Sequence, residues 1–154
     1  MKQLFSCFSC FSCFSKSDIL DENNVPWLSL DGQFLKCKVI DVYDADTVTL
    51  IIPFMGRPWK EKCRLTGIDS AEIRTQNIKE KELALKGKNW LIEEILNKKV
   101  WVECGEWDKY GRLLVTIYKK NKDTISINEL LVTNGYAYKY DGKKKKQFNK
   151  WNNV

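Results

Sequence analysis

The order in which two hydrophobic periods follow one another constrains this chain's fold more than any other feature. A first apolar run, "FLKCKVIDVY", begins at Phe34. In "TVTLII", Val48, Leu50 and Ile52 share one face and Thr47, Thr49 and Ile51 the other, the alternation of a strand. "PFMGRP" then supplies a turn before "WKEKCRLTGI", which predicts a hairpin. Further on, "KVWVEC" and "RLLVTIYKK" repeat the period of two, with Leu113, Val115 and Ile117 opposite Leu114, Thr116 and Tyr118. About five strands emerge.

Between the third and fourth the period changes. In "NIKEKELALKGKNWLIEEILNKK", Leu83, Gly87, Leu91 and Ile95 recur every four residues, which predicts a helix of about five turns. A second helix is announced by "SINE", where Ser126 and Glu129 can form a capping box and Asn134-Gly135 can end the helix. Residues 143–151, "KKKKQFNKW", are open to two readings, a short basic third helix or a solvated lysine tail. Five strands with a helix between the third and fourth is the order of an OB-fold. The expected class is therefore α+β, mainly β: a five-stranded OB-fold barrel with about three helices.

The 154 residues suit one domain with a real core. Residues 1–33 differ from the rest: an FSC unit repeated three times gives way to an Asp/Asn/Pro/Gly linker, so the domain is expected to span 34–154. The net charge is +6, and residues 1–33 hold two lysines against four acids, a net −2, which leaves +8 on the remainder. A body this basic attracts polyanions, nucleic acid or an anionic membrane. Histidine is absent, which excludes imidazole bases, Ser/His/Asp triads and His-ligated zinc.

Cys37, Cys63 and Cys104 fall within strand patterns and read as buried apolar groups of a protein kept in a reducing, intracellular compartment. Cys7, Cys10 and Cys13 sit in the tail beside Phe and a few lysines. Three readings stand for them: S-acylation that would tether a soluble domain to a membrane, an unstructured sticky tail, or a metal cluster for which no fourth cysteine follows nearby. The apolar stretch is about half of what a bilayer span requires.

Charges cluster in three places. "YDADTV" places Asp44 and Asp46 at the start of the second strand, and "CRLTGIDSAEI" places Arg64, Asp69 and Glu72 at the end of the third. Carboxylates converging in a barrel require a hard divalent cation or guanidinium groups to neutralise them. In "EWDKYGRLL" a turn carrying Asp108, Lys109, Tyr110 and Gly111 delivers Arg112, placed either to make a surface ion pair or to grip a phosphate.

"DADT", "RLTGIDSAE" and "DKYGR", in this order and on these elements, resemble the staphylococcal nuclease (thermonuclease) family over roughly Phe34 to Tyr140. The resemblance implies a calcium-dependent endonuclease acting on single-stranded DNA or RNA. By it, Asp46 and Asp69 correspond to carboxylate ligands of Ca2+, and Ser70 to the residue that gives its main-chain oxygen. Glu72 corresponds to the general base, Arg64 and Arg112 to the phosphate-gripping arginines, and Lys109 and Tyr110 to contacts with a neighbouring phosphate. A monomer is expected. Ala45 replaces the family's common Gly, Ser70 its Thr, and Ala71 the Pro that stiffens the loop before the glutamate. Two rival readings are a catalytically weak nucleic-acid-binding OB module and a membrane-tethered interaction module whose lysines, Lys143 to Lys146, meet anionic lipid.

Overall fold

The computed structural model describes residues 26–143, 145–148 and 151. Its elements run β1 (Phe34–Asp44), β2 (Thr47–Phe54), β3 (Arg57–Leu65), β4 (Ile68–Ser70), α1 (Ile78–Ile95), β5 (Lys99–Trp107), β6 (Leu113–Tyr118), α2 (Ile127–Thr133) and β7 (Ala137–Lys139). Five of them close a barrel in the order β1-β2-β3-β6-β5, and β4 pairs with β7 in a small second sheet. The barrel is antiparallel except where β3 meets β6 in parallel. This is the expected mainly-β OB barrel, with two α-helices among the described residues; those of the stretch 143–151 add no α-helix.

The period-two segments become barrel strands because one face of each is apolar. Val39, Val48, Leu50, Leu65, Val102, Val115 and Ile117 fill the interior, and Leu91 and Ile95 of α1 join the same core. Leu30, from the linker, is also buried in it. The β2–β3 hairpin turns through Met55 and Gly56, both at positive φ (51° and 75°). That is the two-residue turn whose twist matches antiparallel strands; glycine adopts it freely, and methionine rarely does. Cys37, Cys63 and Cys104 are buried free thiols. Burial pushes Cys37 up to about 12 and Cys104 to about 11, and raises Cys63 as well, so the thiolate needed for nucleophilic or metal chemistry is suppressed.

Both helix starts are capped, that of α2 by the box its sequence predicts. Asn77 accepts from the Lys79 and Glu80 amides, and the Ser126/Glu129 capping box is complete. The buried stripe of α1 is Ala84, Gly87, Leu91 and Ile95, with Leu83 only half-buried. Asn128 is the buried polar link between α2 and the barrel. Its carbonyl accepts from the Ile117 amide (3.2 Å), and its amide donates to Thr66 O (3.0 Å) and Val115 O (3.1 Å).

One expectation is corrected. The third strand does not carry Asp69 at its end: β3 stops at Leu65, Gly67 turns at φ 74°, and Asp69 and Ser70 belong to β4. The reason lies far along the chain, because β4 exists only by pairing with β7, Asp69 opposite Tyr138.

Gly87 ties the helix to the acidic loop. A Cβ there would lie 3.0 Å from Tyr136 Cβ and 3.1 Å from Ala45 Cβ, atoms held close to their own backbones. Ala45 stands between Asp44 and Asp46. Gly87→Ala should therefore cost about 1 kcal/mol net, overpacking outweighing the gain in helix propensity; a thermal melt showing stabilisation would contradict this.

Candidate active site

Three segments meet at one end of the barrel. The β1–β2 turn brings Asp46, β3 brings Arg64, and β4 brings Asp69 and Ser70. Asp46 and Asp69 are each only 3% exposed, so their charges need partners. The Arg64 guanidinium lies between them. It donates from one NH2 group to Asp46 Oδ1, and from the other to Asp69 Oδ1 at 2.6 Å and Ile68 O at 3.2 Å. Asp46 also accepts from the Ser70 amide (Oδ2, 2.9 Å) and the Thr47 hydroxyl (Oδ1, 3.0 Å). Its own carbonyl accepts from the Leu65 amide at 2.8 Å, which pins the acidic turn to β3.

Asp69 is satisfied from the other side as well. The Tyr138 hydroxyl donates to Oδ2 at 2.7 Å, and Lys145 Nζ lies 2.9 Å from Oδ1. The Lys146 amide donates to the Tyr138 hydroxyl at 2.9 Å, so the basic C-terminal segment is folded onto the site. Burial, then the hydrogen bond to Asp69, raises Tyr138 above the usual phenol range.

Asp44, the last residue of β1, and Asp46, in the turn that follows it, are pushed in opposite directions. Burial followed by the Asp46 charge raises Asp44 to about 6. Burial acts on Asp46 too, but the Arg64 charge and the Ser70 hydrogen bonds outweigh it and hold Asp46 below 3.8. Unfolded, both ionise near 3.8. Asp46's contribution is thus complete above that value and is lost as pH falls through its lower folded pKa. Asp44's is complete below 3.8 and is lost as pH rises through about 6. Asp44→Asn should therefore stabilise the protein at pH 8 by on the order of 2 kcal/mol and hardly at pH 4. Equal effects at both, in denaturant titrations, would contradict that linkage.

Glu72 and Arg112 stand apart from this cluster. Glu72 is exposed, its carboxylate accepts the Arg74 amide at 3.4 Å, and its own amide donates to Glu80 of α1 at 3.4 Å. Glu80 also receives the Thr75 hydroxyl at 2.8 Å, so the loop that lacks the stiffening proline is tied to the start of α1. Arg112 is held by Asp108 through Nε (2.7 Å) and NH2 (2.6 Å). Asp108 sits below the usual carboxylate range because, against burial, it accepts the Arg112 and Tyr110 hydrogen bonds. Tyr110 is exposed, with Lys109 Nζ at 5.1 Å and the Arg112 guanidinium carbon at 5.4 Å from its ring centre. A basic and aromatic knuckle results.

Asp46, Arg64, Asp69 and Ser70 are therefore brought together, whereas neither Glu72 nor Arg112 hydrogen-bonds to that group among the described residues. Tyr138 and Lys145 were not among the residues the sequence assigned to the site. "GYAYKY" flags tyrosines but not which one faces Asp69; the β4–β7 register decides that. A groove of about 860 Å³, lined by Thr66, Tyr118, Asn128 and Tyr140 among others, lies beside these acids without including them.

A closed five-stranded barrel carrying buried carboxylates bridged by a guanidinium is an OB domain with an acidic site. The chain belongs to the staphylococcal nuclease homologue family, whose profile residues 62–154 match, and that match makes it a nuclease-type or nucleic-acid-binding module. The matched stretch contains Arg64, Asp69, Ser70, Glu72, Lys109, Tyr110 and Arg112; Asp46 precedes it. No curated protein matches the chain.

Proposed function

We propose that this domain is a calcium-dependent endonuclease that hydrolyses phosphodiester bonds of single-stranded DNA or RNA. The observation that carries the reading is the meeting of Asp46 and Asp69 around Arg64, drawn from three separate elements.

The donors fit a hard cation in kind: Asp46, Asp69 and the Ser70 main chain offer oxygens only. Among the described residues no three acids form a ready-made cage. Asp46, Asp69 and the Ser70 main-chain oxygen would hold the ion, with Arg64 turning toward substrate. Calcium, when bound, supplies positive charge against the phosphate oxygens. Arg64 and Arg112 grip the scissile phosphate and stabilise charge that develops on it, because planar guanidinium forks match phosphate oxygens. Glu72 accepts the proton of the attacking water. Lys109 and Tyr110 bind the adjoining phosphate.

Incubating the full chain with a single-stranded oligonucleotide, with calcium or with chelator, tests this directly. Cutting is expected with calcium alone; cutting that persists in chelator overturns the metal assignment.

One observation favours a second reading, binding without cleavage. Both Asp69 oxygens are already occupied, by Arg64, Lys145 and Tyr138. Stable binding with intact strands in calcium would establish it.

The FSC tail lies outside the described residues, and no described helix is long and apolar enough to cross a membrane. Acylation of Cys7, Cys10 and Cys13 would tether the domain at an intracellular membrane. Changing all three to Ser should then move the protein from membrane to soluble fractions, and an unchanged distribution rejects the tether.

A further inference from the structure

The outer wall of the barrel carries a second charged feature that the site does not use. Strand alternation puts Lys60, Lys62 and Arg64 of β3 on the outward face, opposite Ile51, Thr49 and Thr47 of β2. Lys38 of β1 stands opposite Ile51 on one side and Lys99 of β5 on the other. A row of lysines therefore crosses four strands, Lys60 and Lys38 flanking Ile51 and Lys99 beyond, one row removed from Lys62.

Like charges placed directly opposite, as Lys38 and Lys99 are, destabilise a sheet. Among the described residues none of these four lysines forms an ion pair. Asp41, opposite Thr49, is the carboxylate of these rows. Four lysines against one carboxylate on a sheet face suit a polyanion better than a folded-state partner. Tyr43, 42% exposed, lies in the same patch with Lys62 Nζ at 4.4 Å from its ring centre. Successive outward positions on β3 are about 6.6 Å apart, a step comparable to that between phosphates of an extended nucleotide strand. The β3 row also ends at Arg64, in the acidic site itself.

We propose that this wall is a track for single-stranded nucleic acid leading away from the Arg64 site, with phosphates on Lys62, Lys60, Lys38 and Lys99 and an unpaired base against Tyr43. An exposed ring that stacks a base, beside ammonium groups that track its backbone, is the arrangement single strands require. A flat lipid surface would leave the continuity with Arg64 unused. The inference rests on the nucleic-acid reading above and extends it to strand lying beyond the scissile bond.

The test measures anisotropy of labelled oligothymidylates of about four and about twelve nucleotides against the full chain in chelator, over a salt series. The triple variant Lys38→Gln/Lys60→Gln/Lys62→Gln should bind the longer strand about tenfold or more weakly, and its logarithmic salt slope should shrink by about 2. Binding of the short strand should stay within about twofold of wild type. Tyr43→Ala should weaken the longer strand alone, by about tenfold. Circular dichroism checks that the variants fold, and all four positions are exposed. Unchanged affinity and slope for the long strand, with wild type still binding, overturns the track and leaves the nucleic-acid reading intact. Failure of wild type to bind either strand overturns both. If the triple variant instead loses binding to phosphatidylserine vesicles while keeping oligonucleotide affinity, the wall is a membrane surface and the track is refuted.

Discussion

Glu72→Gln should lower the rate of strand cleavage by about two to four orders of magnitude while leaving the melting temperature unchanged. The two halves of that expectation have separate causes. Glu72 is exposed and makes no ion pair among the described residues; its carboxylate takes only the Arg74 amide. The amide of Gln preserves shape and that one acceptor, so folding loses almost nothing. It cannot take a proton from water, so the chemical step loses its base. Oligonucleotide affinity in chelator should be unaltered, because the side chain is not asked to grip phosphate. Single-turnover cleavage in saturating calcium, run beside a thermal melt, measures both. Turnover equal to wild type removes Glu72 from the role of base, and a large fall in stability would show that it serves the fold instead.

Arg64→Met should be the most destabilising single change at the site, by about 3–5 kcal/mol at neutral pH. The variant leaves Asp46 and Asp69 buried with their common guanidinium removed. Lys145 cannot replace it: its side chain is 62% exposed, and an ion pair that solvent screens contributes at most about 1 kcal/mol. The pH dependence should also reverse. In the wild type Asp46 is held low chiefly against burial by the Arg64 charge, so its contribution is lost as pH falls. Without Arg64 only the hydrogen bonds, chiefly that from the Ser70 amide, are left against burial, the largest influence on this group; the folded pKa should rise above the unfolded one, and stability should then be lost as pH rises. Calcium should restore part of the deficit if these carboxylates bind it. Denaturant titrations at pH 4 and pH 7, with and without calcium, read all three effects. A variant as stable as wild type at pH 7 would mean that the bridge contributes nothing.

The same arginine shows where reading along the chain stops. Strand alternation around Leu50 and Val115, the four-residue recurrence from Gly87 to Ile95, and the Ser126/Glu129 cap all came through intact, because each depends on residues within a few positions of one another. The turn at Met55-Gly56 and the knuckle that presents Arg112 were visible for the same reason. Asp46, Arg64, Asp69 and Ser70 were recognisable as candidates from spacing and family resemblance. Neither gave the identity of Asp69's strand, the tyrosine that faces it, or the lysine that reaches it.

Backbone propensity, capping and face periodicity act over one or two turns of chain, and those short-range forces were enough to specify the barrel strands and both helices here. The acidic site answers to different physics. Its carboxylates lie 23 positions apart along the chain, and they meet only after β2 has paired with β3 and β4 with β7. Whether a buried charge is held ionised, as Asp46 is, or pushed toward neutrality, as Asp44 is, depends on which cation arrives beside it. Closure of the barrel makes that choice.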